Sequence, residues 1–335
     1  MDEIMAQKVA CCACGGSRAK QTLSVPEQYF GWSEKFLYDQ CEHCGTMSLR
    51  EVPQELGIYY GADYYSMKQA ERAKGSSLVR RLRAIRTDYC LNRKSVWSRV
   101  LGPTFVKFTG RAEVIQRYGN WMRAADVSSA SIVADVGCGQ GHYLWGLYHE
   151  GFSRVYGFDP FLDASVQIGS QGYITNTSIE ELPGDIDFML MNHSLEHVAK
   201  PLELLAACLR RLATDGHLLV RMPIADNPLF DIYGVHWVGL DAPRHVHIFS
   251  ESGTLALLER CGFKVVASER YTHSFQWIIS EQLRRGVPQA APDSFLNNPN
   301  TDLFMPKELR SLEAKAADLT EAGGGDCITV LACRP

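Results

Sequence analysis

Two pairs of cysteines near the start of the chain have the spacing of a metal site. Cys11 and Cys14 form one C-x-x-C-G sequence and Cys41 and Cys44 another, with a strand-like stretch between them. A glycine after each pair permits the tight turn that directs both sulfurs at one point. Four thiolates make a closed tetrahedral site suited to structural zinc, which would supply the folding free energy of so short a segment. Cys12 is a spare that could replace Cys11, and four buried free cysteines are the plainer alternative.

Length and composition indicate an ordinary globular protein with more than one unit. The chain has 335 residues, of which 46% are hydrophobic and 21% charged, and a single domain typically has about 100–200 residues. The formal net charge of −4 argues against a molecule built as a whole to bind polyanions. Neither a secretory signal nor an apolar run of about 18 residues is visible, so we expect a cytoplasmic protein without a transmembrane segment. Its eleven cysteines should then be reduced, which favours metal binding over disulfides.

A second group of residues could bind a nucleoside. A buried-strand pattern over residues 131–136 leads into the glycine-rich bend 137–141 and a helical stretch over 142–150. The spacing is G-x-G-x-G, whereas a dinucleotide site has G-x-G-x-x-G with the pyrophosphate at the helix start. Asp135 would repel a pyrophosphate but suits the cationic amino-acid end of S-adenosylmethionine. Asp159, after the next strand, can bind the two ribose hydroxyls.

These residues resemble a known family. Residues 133–141 look like motif I of class I S-adenosylmethionine-dependent methyltransferases, 157–160 resemble the ribose-binding motif, and 194–198 match the "LEH" signature of small-molecule methyltransferases. The resemblance implies an α/β, Rossmann-like, seven-stranded sheet whose last strand, 327–333, is antiparallel to the others. It also implies a cofactor site made of Asp135, Gly137, Cys138, Gly139, Gly141, Asp159, Pro160, Ser178, Ile179, Asn192 and His193.

Three segments follow from these motifs. Residues 1–60 are predicted to form a zinc-knuckle, zinc-ribbon-like domain, 61–125 a basic helical connector, and 126–335 the methyltransferase domain with a helical insertion at about 271–325.

The connector holds many more basic than acidic residues. Its cations are Lys68, Arg72, Lys74, Arg80, Arg81, Arg83, Arg86, Arg93, Lys94, Arg99, Lys107, Arg111, Arg117 and Arg123. A solvated helix face is the plainer interpretation, and contact with a nucleotide diphosphate, a phospholipid surface or RNA is the functional one. The nearby Tyr59, Tyr60, Tyr64 and Tyr65 indicate a packing seam more than a wall of the acceptor site.

Histidines are the candidate bases for methyl transfer to a hydroxyl group. His193 and His197 follow the predicted fourth strand, and His245 lies in an insertion after the fifth, where Arg244 and Asp241 could orient an acceptor. We expect His245 to be the base, although a structural hydrogen-bonded role remains open for each histidine. The sequence after Asn192 lacks the Asn/Asp-Pro-Pro-aromatic loop that grips a flipped-out base, which counts against methylation of a base amino group.

The whole layout is similar to bacterial methyltransferases associated with surface-polysaccharide and sugar modification. The resemblance implies O-methylation of a nucleotide sugar, surface polysaccharide or lipid-linked glycan. The basic connector could then make peripheral contact with an anionic surface. The acidic net charge and the missing Asn/Asp-Pro-Pro loop count against a nucleic-acid partner. Three alternatives stay open: an RNA methyltransferase, another small-molecule O- or C-methyltransferase, and a zinc-stabilised scaffold of a glycan assembly complex.

Overall fold

The computed structural model describes residues 10–60, 76–92 and 95–335. Tyr64, Tyr65, Lys68, Arg72, Lys74, Arg93 and Lys94, which the sequence analysis singled out, lie outside these ranges. Within them, no helix combines the length and the apolar character that crossing a membrane requires.

The elements follow one another in a largely alternating order. The first are β1 (Ala19–Pro26), β2 (Lys35–Cys41), β3 (Met47–Leu49), α1 (Ser77–Leu91), α2 (Val96–Thr109) and α3 (Glu113–Ala124). Next come β4 (Val133–Val136), α4 (His142–His149), β5 (Val155–Phe158), β6 (Val166–Ile168), β7 (Gly172–Thr175), β8 (Ile186–Asn192), α5 (Pro201–Arg211) and β9 (Leu212–Pro223). The last are α6 (Pro228–Tyr233), β10 (His247–Ile248), α7 (Glu251–Arg260), β11 (Lys264–Tyr271), α8 (Ser274–Arg284), α9 (Pro306–Glu321) and β12 (Cys327–Cys333).

The central sheet has the strand order β11-β12-β9-β8-β4-β5-β7-β6. Strands β4, β5, β7, β8 and β9 are parallel, and β12 runs antiparallel to both β9 and β11. The short strand β6 forms an antiparallel hairpin with β7, so the sheet has one strand more than the seven expected. The chain starts in the middle, at β4, and winds outward in both directions, which opens a crevice at the carboxyl ends of β4 and β5.

Side chains on the two faces of this sheet belong to two separate apolar cores. Phe188 and Leu190 of β8 face one core, while Met189 and Met191 face the other, as the period of two of a strand requires. Helix α4 contributes Leu144 to the first core. The sheet is thus covered on both faces and rigidly holds the ends of its central strands.

The amino-terminal strands form a second sheet together with a strand from far along the chain. Strands β1, β2 and β3 are antiparallel neighbours, and β10 pairs with β3. A third core lies against this sheet, in which Val25 and Tyr38 pack with Trp237, Ile248 and other residues from later in the chain. The boundary predicted at residue 60 stays a prediction, but the amino-terminal unit shares its sheet with the larger unit.

The connector forms helices as predicted, yet several of its arginines face inward. The guanidinium of Arg80 lies 3.6 Å above the Tyr148 ring, and that of Arg83 donates to His149 Nδ1. The Arg86 guanidinium forms a buried ion pair with Glu150. All three contacts fasten α1 to the end of α4, so this part of the predicted basic face serves packing.

The predicted insertion at about 271–325 contains α8 and α9, joined by a stretch without helix or strand over 285–305. The two helices pack against each other and complete the third core through Trp277, Leu312 and Ala316.

Candidate active site

The bend between β4 and α4 brings the backbone close to the neighbouring loop. Gly137 has φ of +77°, and a Cβ atom there would lie 2.3 Å from Ser194 Cβ. Ser194 in turn donates from Oγ to the carbonyl of Val136 at 2.7 Å. Only glycine fits this position, and its lack of a side chain leaves the strand end open to a ligand.

Asp135 and Asp159 lie at the ends of neighbouring strands but in different environments. Each Asp159 oxygen accepts a backbone hydrogen bond, one from Gly139 N at 2.7 Å and one from Phe161 N at 2.9 Å. Asp135 is buried, and its Oδ1 has no hydrogen-bond partner among the described residues. Burial and the nearby Asp159 raise the pKa of Asp135 to about 8. A cationic ligand bound beside this carboxyl group would stabilise its ionised form.

A cavity of about 740 Å³ opens at this edge of the sheet. Six of the predicted cofactor residues line it: Asp135, Gly137, Cys138, Gly139, Asn192 and His193. The other five do not line it. Gly141 is the N-cap of α4, Asp159 contacts Gly139, Pro160 is exposed, Ser178 caps a short helical turn at Glu180, and Ile179 packs in a core. The geometry thus brings six residues of the predicted set together, and the role of each residue stays a prediction.

A polar cluster at the cavity was not anticipated. Tyr118 OH donates to Asn192 Oδ1 at 3.1 Å, and Arg221 donates to the same oxygen at 3.0 Å. The Arg221 guanidinium lies over the rings of both Tyr118 and Tyr271, and burial raises the pKa of each of these tyrosines. Arg221 is the charged residue in the otherwise apolar end of β9, which is the signal that sequence reasoning could have used.

His193 is the predicted candidate base that lines the cavity. It adopts a left-handed backbone with φ of +52°, unusual for a residue with a side chain. Its Nδ1 lies 3.3 Å from a Glu196 oxygen, and its Nε2 lies 3.4 Å from Tyr271 OH. These two contacts fix the ring at the cavity wall.

His197 and His245 lie together behind that wall, with ring centroids 4.7 Å apart. Both are absent from the cavity lining, and His245 is buried. Burial and the neighbouring His245 lower the pKa of His197 to about 4, which keeps its imidazole neutral. The expectation that His245 is the base remains untested, although His193 is the better placed of the three.

Arg244 and Asp241 contact each other rather than the cavity. Arg244 is completely buried and donates to Asp241 Oδ1 at 2.6 Å, to Glu27 at 3.3 Å and to the Tyr59 carbonyl at 3.0 Å. These partners belong to the insertion and the amino-terminal unit, so in this geometry Arg244 joins the two. Tyr60 stacks on the Phe161 ring, and its hydroxyl lies 3.0 Å from His197 Nδ1.

The four predicted metal ligands converge in the amino-terminal unit. Cys11 Sγ lies 3.7 Å from Cys44 Sγ, and Cys14 Sγ lies 3.6 Å from Cys41 Sγ. Sulfurs around a tetrahedral zinc ion would be about 3.8 Å apart, given Zn–S bonds of about 2.3 Å. Cys12 Sγ instead lies 3.6 Å from His247 Nδ1 and outside the group of four.

The central part of the chain matches a known family. Residues 111–268 fit the model of a family described as "Methyltransferase domain". This part of the chain matches a methyltransferase domain. It spans α3, the cavity and both aspartates, and the predictions of a Rossmann-like fold and of an S-adenosylmethionine-dependent methyltransferase are confirmed for this domain.

Curated relatives of the methyltransferase domain share one name. The tRNA U34 carboxymethyltransferase of Aeromonas salmonicida is 30% identical over 179 residues, which is 48% of this chain and 55% of the relative. The tRNA U34 carboxymethyltransferase of Helicobacter acinonychis is 32% identical over 111 residues, 29% of this chain and 42% of the relative. The chain thus spans about half the length of the curated relatives it matches.

Solved structures with similar folds include other methyltransferases. A SAM-dependent methyltransferase from Archaeoglobus fulgidus is 18% identical with a TM-score of 0.41, covering 70% of this chain and 99% of that one. A 1,6-didemethyltoxoflavin-N1-methyltransferase from Burkholderia thailandensis, solved with S-adenosylhomocysteine, is 16% identical with a TM-score of 0.39, covering 79% of this chain and 93% of that one.

These findings correct two predictions about the methyltransferase domain. The prediction of sugar O-methylation is wrong, because the curated relatives are named for tRNA and none of those compared is named for a glycan. The expectation that nucleic acid is not a partner is wrong for the same reason. The resemblance misled because it rested on short motifs, most of which concern the cofactor site and not the acceptor.

Proposed function

We propose that this chain transfers a methyl group from S-adenosylmethionine to a base in RNA. The observation that supports S-adenosylmethionine as the methyl donor is the buried Asp135 carboxyl group. It lacks a hydrogen-bond partner at one oxygen and faces the cavity beside the glycine bend. The names of the curated relatives support RNA as the acceptor.

The donor would be held by the two strand-end carboxylates. Asp135 would bind the α-amino group of the methionine part, because a cation offsets the cost of its burial. Asp159 would bind the ribose hydroxyls, since its oxygens are already oriented by backbone amides and each keeps a lone pair. Gly137 and Gly139 leave room for the nucleoside near the backbone.

The acceptor would enter from the side of α2 and α3. Between residues 95 and 124 the chain carries Arg99, Lys107, Arg111, Arg117 and Arg123, all exposed, and a single acid, Glu113. Arg117 also lines the cavity. Local charge of this sign attracts phosphates even though the whole chain has a net charge of −4.

His193 would take the proton that the acceptor atom loses. In the step proposed, the methyl carbon forms a bond to the base, the bond to the sulfonium sulfur breaks with its electron pair, and S-adenosylhomocysteine leaves. Contacts with Glu196 and Tyr271 hold the His193 ring at the cavity, as a general base requires.

The amino-terminal cysteines would hold a structural zinc ion. The donor set is Cys11, Cys14, Cys41 and Cys44, a closed site without a position for substrate, so zinc would stabilise the fold and take no part in the transfer.

The test uses the full chain with S-adenosylmethionine labelled on the methyl group. Total RNA from cells that lack the gene should become labelled, and mass analysis of its nucleosides should show one modified base. A carboxymethylated base after addition of the carboxylated donor would extend the proposal to the chemistry named in the relatives. Binding of S-adenosylmethionine without labelling of any RNA would overturn the proposal and favour a non-enzymatic role.

The basic surface is tested separately by binding at several salt concentrations. The double change Lys107→Gln and Arg111→Gln, at two exposed residues outside the cavity lining, should weaken RNA binding several-fold. It should also lower the number of ionic contacts inferred from the salt dependence by about two. S-adenosylmethionine affinity should stay the same. Arg310→Gln, in exposed α9, is the matched control and should leave RNA binding unchanged.

A further inference from the structure

We propose that Glu196, His197 and His245 form a second metal site that binds a divalent transition-metal ion such as zinc. One carboxylate oxygen and one ring nitrogen from each histidine lie within 4.8 Å of one another. The site is distinct from the four-cysteine site and does not depend on the identity of the acceptor.

The strongest argument is the environment of Glu196. Its side chain is completely buried, and neither carboxylate oxygen has a hydrogen bond of proper geometry among the described residues. Nδ1 of His193 lies 3.3 Å from one of these oxygens. A buried carboxylate without a well-formed hydrogen bond is costly, and a metal ion in contact with it would reduce that cost.

Both histidines are oriented as metal ligands usually are. Nδ1 of His197 lies 2.9 Å from the Arg244 carbonyl, and Nδ1 of His245 lies 2.8 Å from the Gly239 carbonyl. A carbonyl can only accept, so each Nδ1 carries a proton, and Nε2 is the ring nitrogen at which a metal ion would bind. Donation from one ring nitrogen to a carbonyl while the other binds the metal is the common second-shell arrangement in metalloproteins.

The charge of the surroundings also favours a cation. Glu27 and Asp241 pair with the single guanidinium of Arg244, and Glu196 is buried close by. Three carboxyl groups therefore lie near one guanidinium, and a bound cation would offset this excess of acidic groups.

The ligands come from two segments that need to be held together. Glu196 and His197 follow β8, and His245 belongs to the insertion before β10. Zinc ligands are about 3.3–3.5 Å apart for bonds of about 2.0–2.2 Å, so metal binding would draw these segments closer. His197 is only partly buried, whereas Glu196 and His245 are buried.

The test is the metal content of the full chain after loading with zinc and removal of excess metal. Wild type should hold about two zinc ions per chain, and Glu196→Gln and His245→Gln about one each. His236→Gln is the matched control, a histidine of the same insertion that contacts Gln28, and it should retain both ions. One ion in wild type, or two in Glu196→Gln, would overturn the proposal.

A cobalt titration of the wild type keeps the test valid if a variant fails to fold. The thiolate site should produce sulfur-to-metal charge-transfer absorption, whereas the second equivalent should produce ligand-field bands alone. A titration that ends after the thiolate signal would exclude the second site, whatever the outcome of the RNA experiments.

Discussion

At the scale of single residues, the two strand-end aspartates show how the same side chain can differ in its hydrogen bonds and its protonation. Asp159 is satisfied by two backbone amides before any ligand arrives. Asp135 is buried with an unpartnered oxygen, and its pKa is raised to about 8 by burial and by Asp159. Without a ligand, Asp135 therefore carries a proton at neutral pH.

Because Asp135 carries a proton without ligand, binding of a cationic ligand should release that proton. A cationic ligand favours ionised Asp135, so S-adenosylmethionine binding near pH 7 should release about one proton, and affinity should rise up to about tenfold per pH unit below pH 8. Calorimetry in buffers of different ionisation enthalpy measures the release. Asp135→Asn should bind more weakly and without that proton, and an unchanged release in this variant would assign the proton elsewhere.

The stability of the ligand-free protein should fall as the pH rises, whereas the affinity for the ligand should increase. The raised pKa of Asp135 means that its contribution to stability is present at low pH and is lost as the pH rises through about 8. Asp135→Asn should therefore make the ligand-free protein more stable than wild type at pH 9, by more than about 1 kcal/mol in denaturant unfolding. Equal stability at pH 9 would contradict the assigned environment.

Sequence spacing could predict a site only where the residues lie close together along the chain, and their roles stay predictions. The glycine bend, Asp135 and Asp159 lie within 25 residues of one another along the chain, and their roles follow from the ends of adjacent strands. Tyr118, Arg221 and Tyr271 meet only through packing of α3, β9 and β11, which spacing cannot reveal. Arg244 was expected to orient an acceptor, but its partner Glu27 lies 217 residues away in the sequence.

At the scale of elements, α1 shows that a basic helix need not be a binding surface. Arg86 is buried against Glu150, and Thr87 Oγ1 donates to the same carboxylate. Periodicity correctly predicted helices in this segment, but it could not tell which arginines face α4, because only the tertiary contact places Glu150 there.

Breaking this ion pair should be costly. Arg86→Met would leave the Glu150 carboxylate buried and unpaired, so we expect a loss of about 3–5 kcal/mol in the free energy of unfolding. Arg81→Met, on the exposed side of the same helix, should change it by less than about 0.5 kcal/mol. Denaturant unfolding of both variants is the measurement, and the double change Arg86→Met with Glu150→Met should recover part of the loss. Similar losses in the Arg81 and Arg86 variants would mean that the pair does not stabilise the helix.

At the scale of the whole molecule, the amino-terminal unit and the methyltransferase domain are joined by several contacts. Arg260 donates to the carbonyls of Cys12 and Ala13, and Ser250 Oγ donates to the carbonyl of Cys44. Trp237 lies in the core formed with Val25 and other residues of the first sheet. The sequence predicted the four thiol ligands but not the contacts between the two units, since a strand of only two residues such as β10 has no recognisable sequence pattern.

Removal of the proposed zinc ion should therefore affect more than the four cysteines. A chelator, or Cys44→Ser, should reduce hydrogen-exchange protection of β2 and β3 and also of β10, because β3 and β10 exchange hydrogen bonds. Strands β4 and β5, in the other sheet, should keep their protection. Loss confined to residues 10–60 would indicate that the two units unfold independently.

The pairing of β3 with β10 also limits how this protein can be divided or recombined. A truncated chain beginning at α1 would keep the catalytic fold, yet it would leave a bare backbone edge at His247 and an uncovered indole at Trp237. Such a fragment should self-associate, and a foreign leading module could replace the original only if it brought its own strand to that edge.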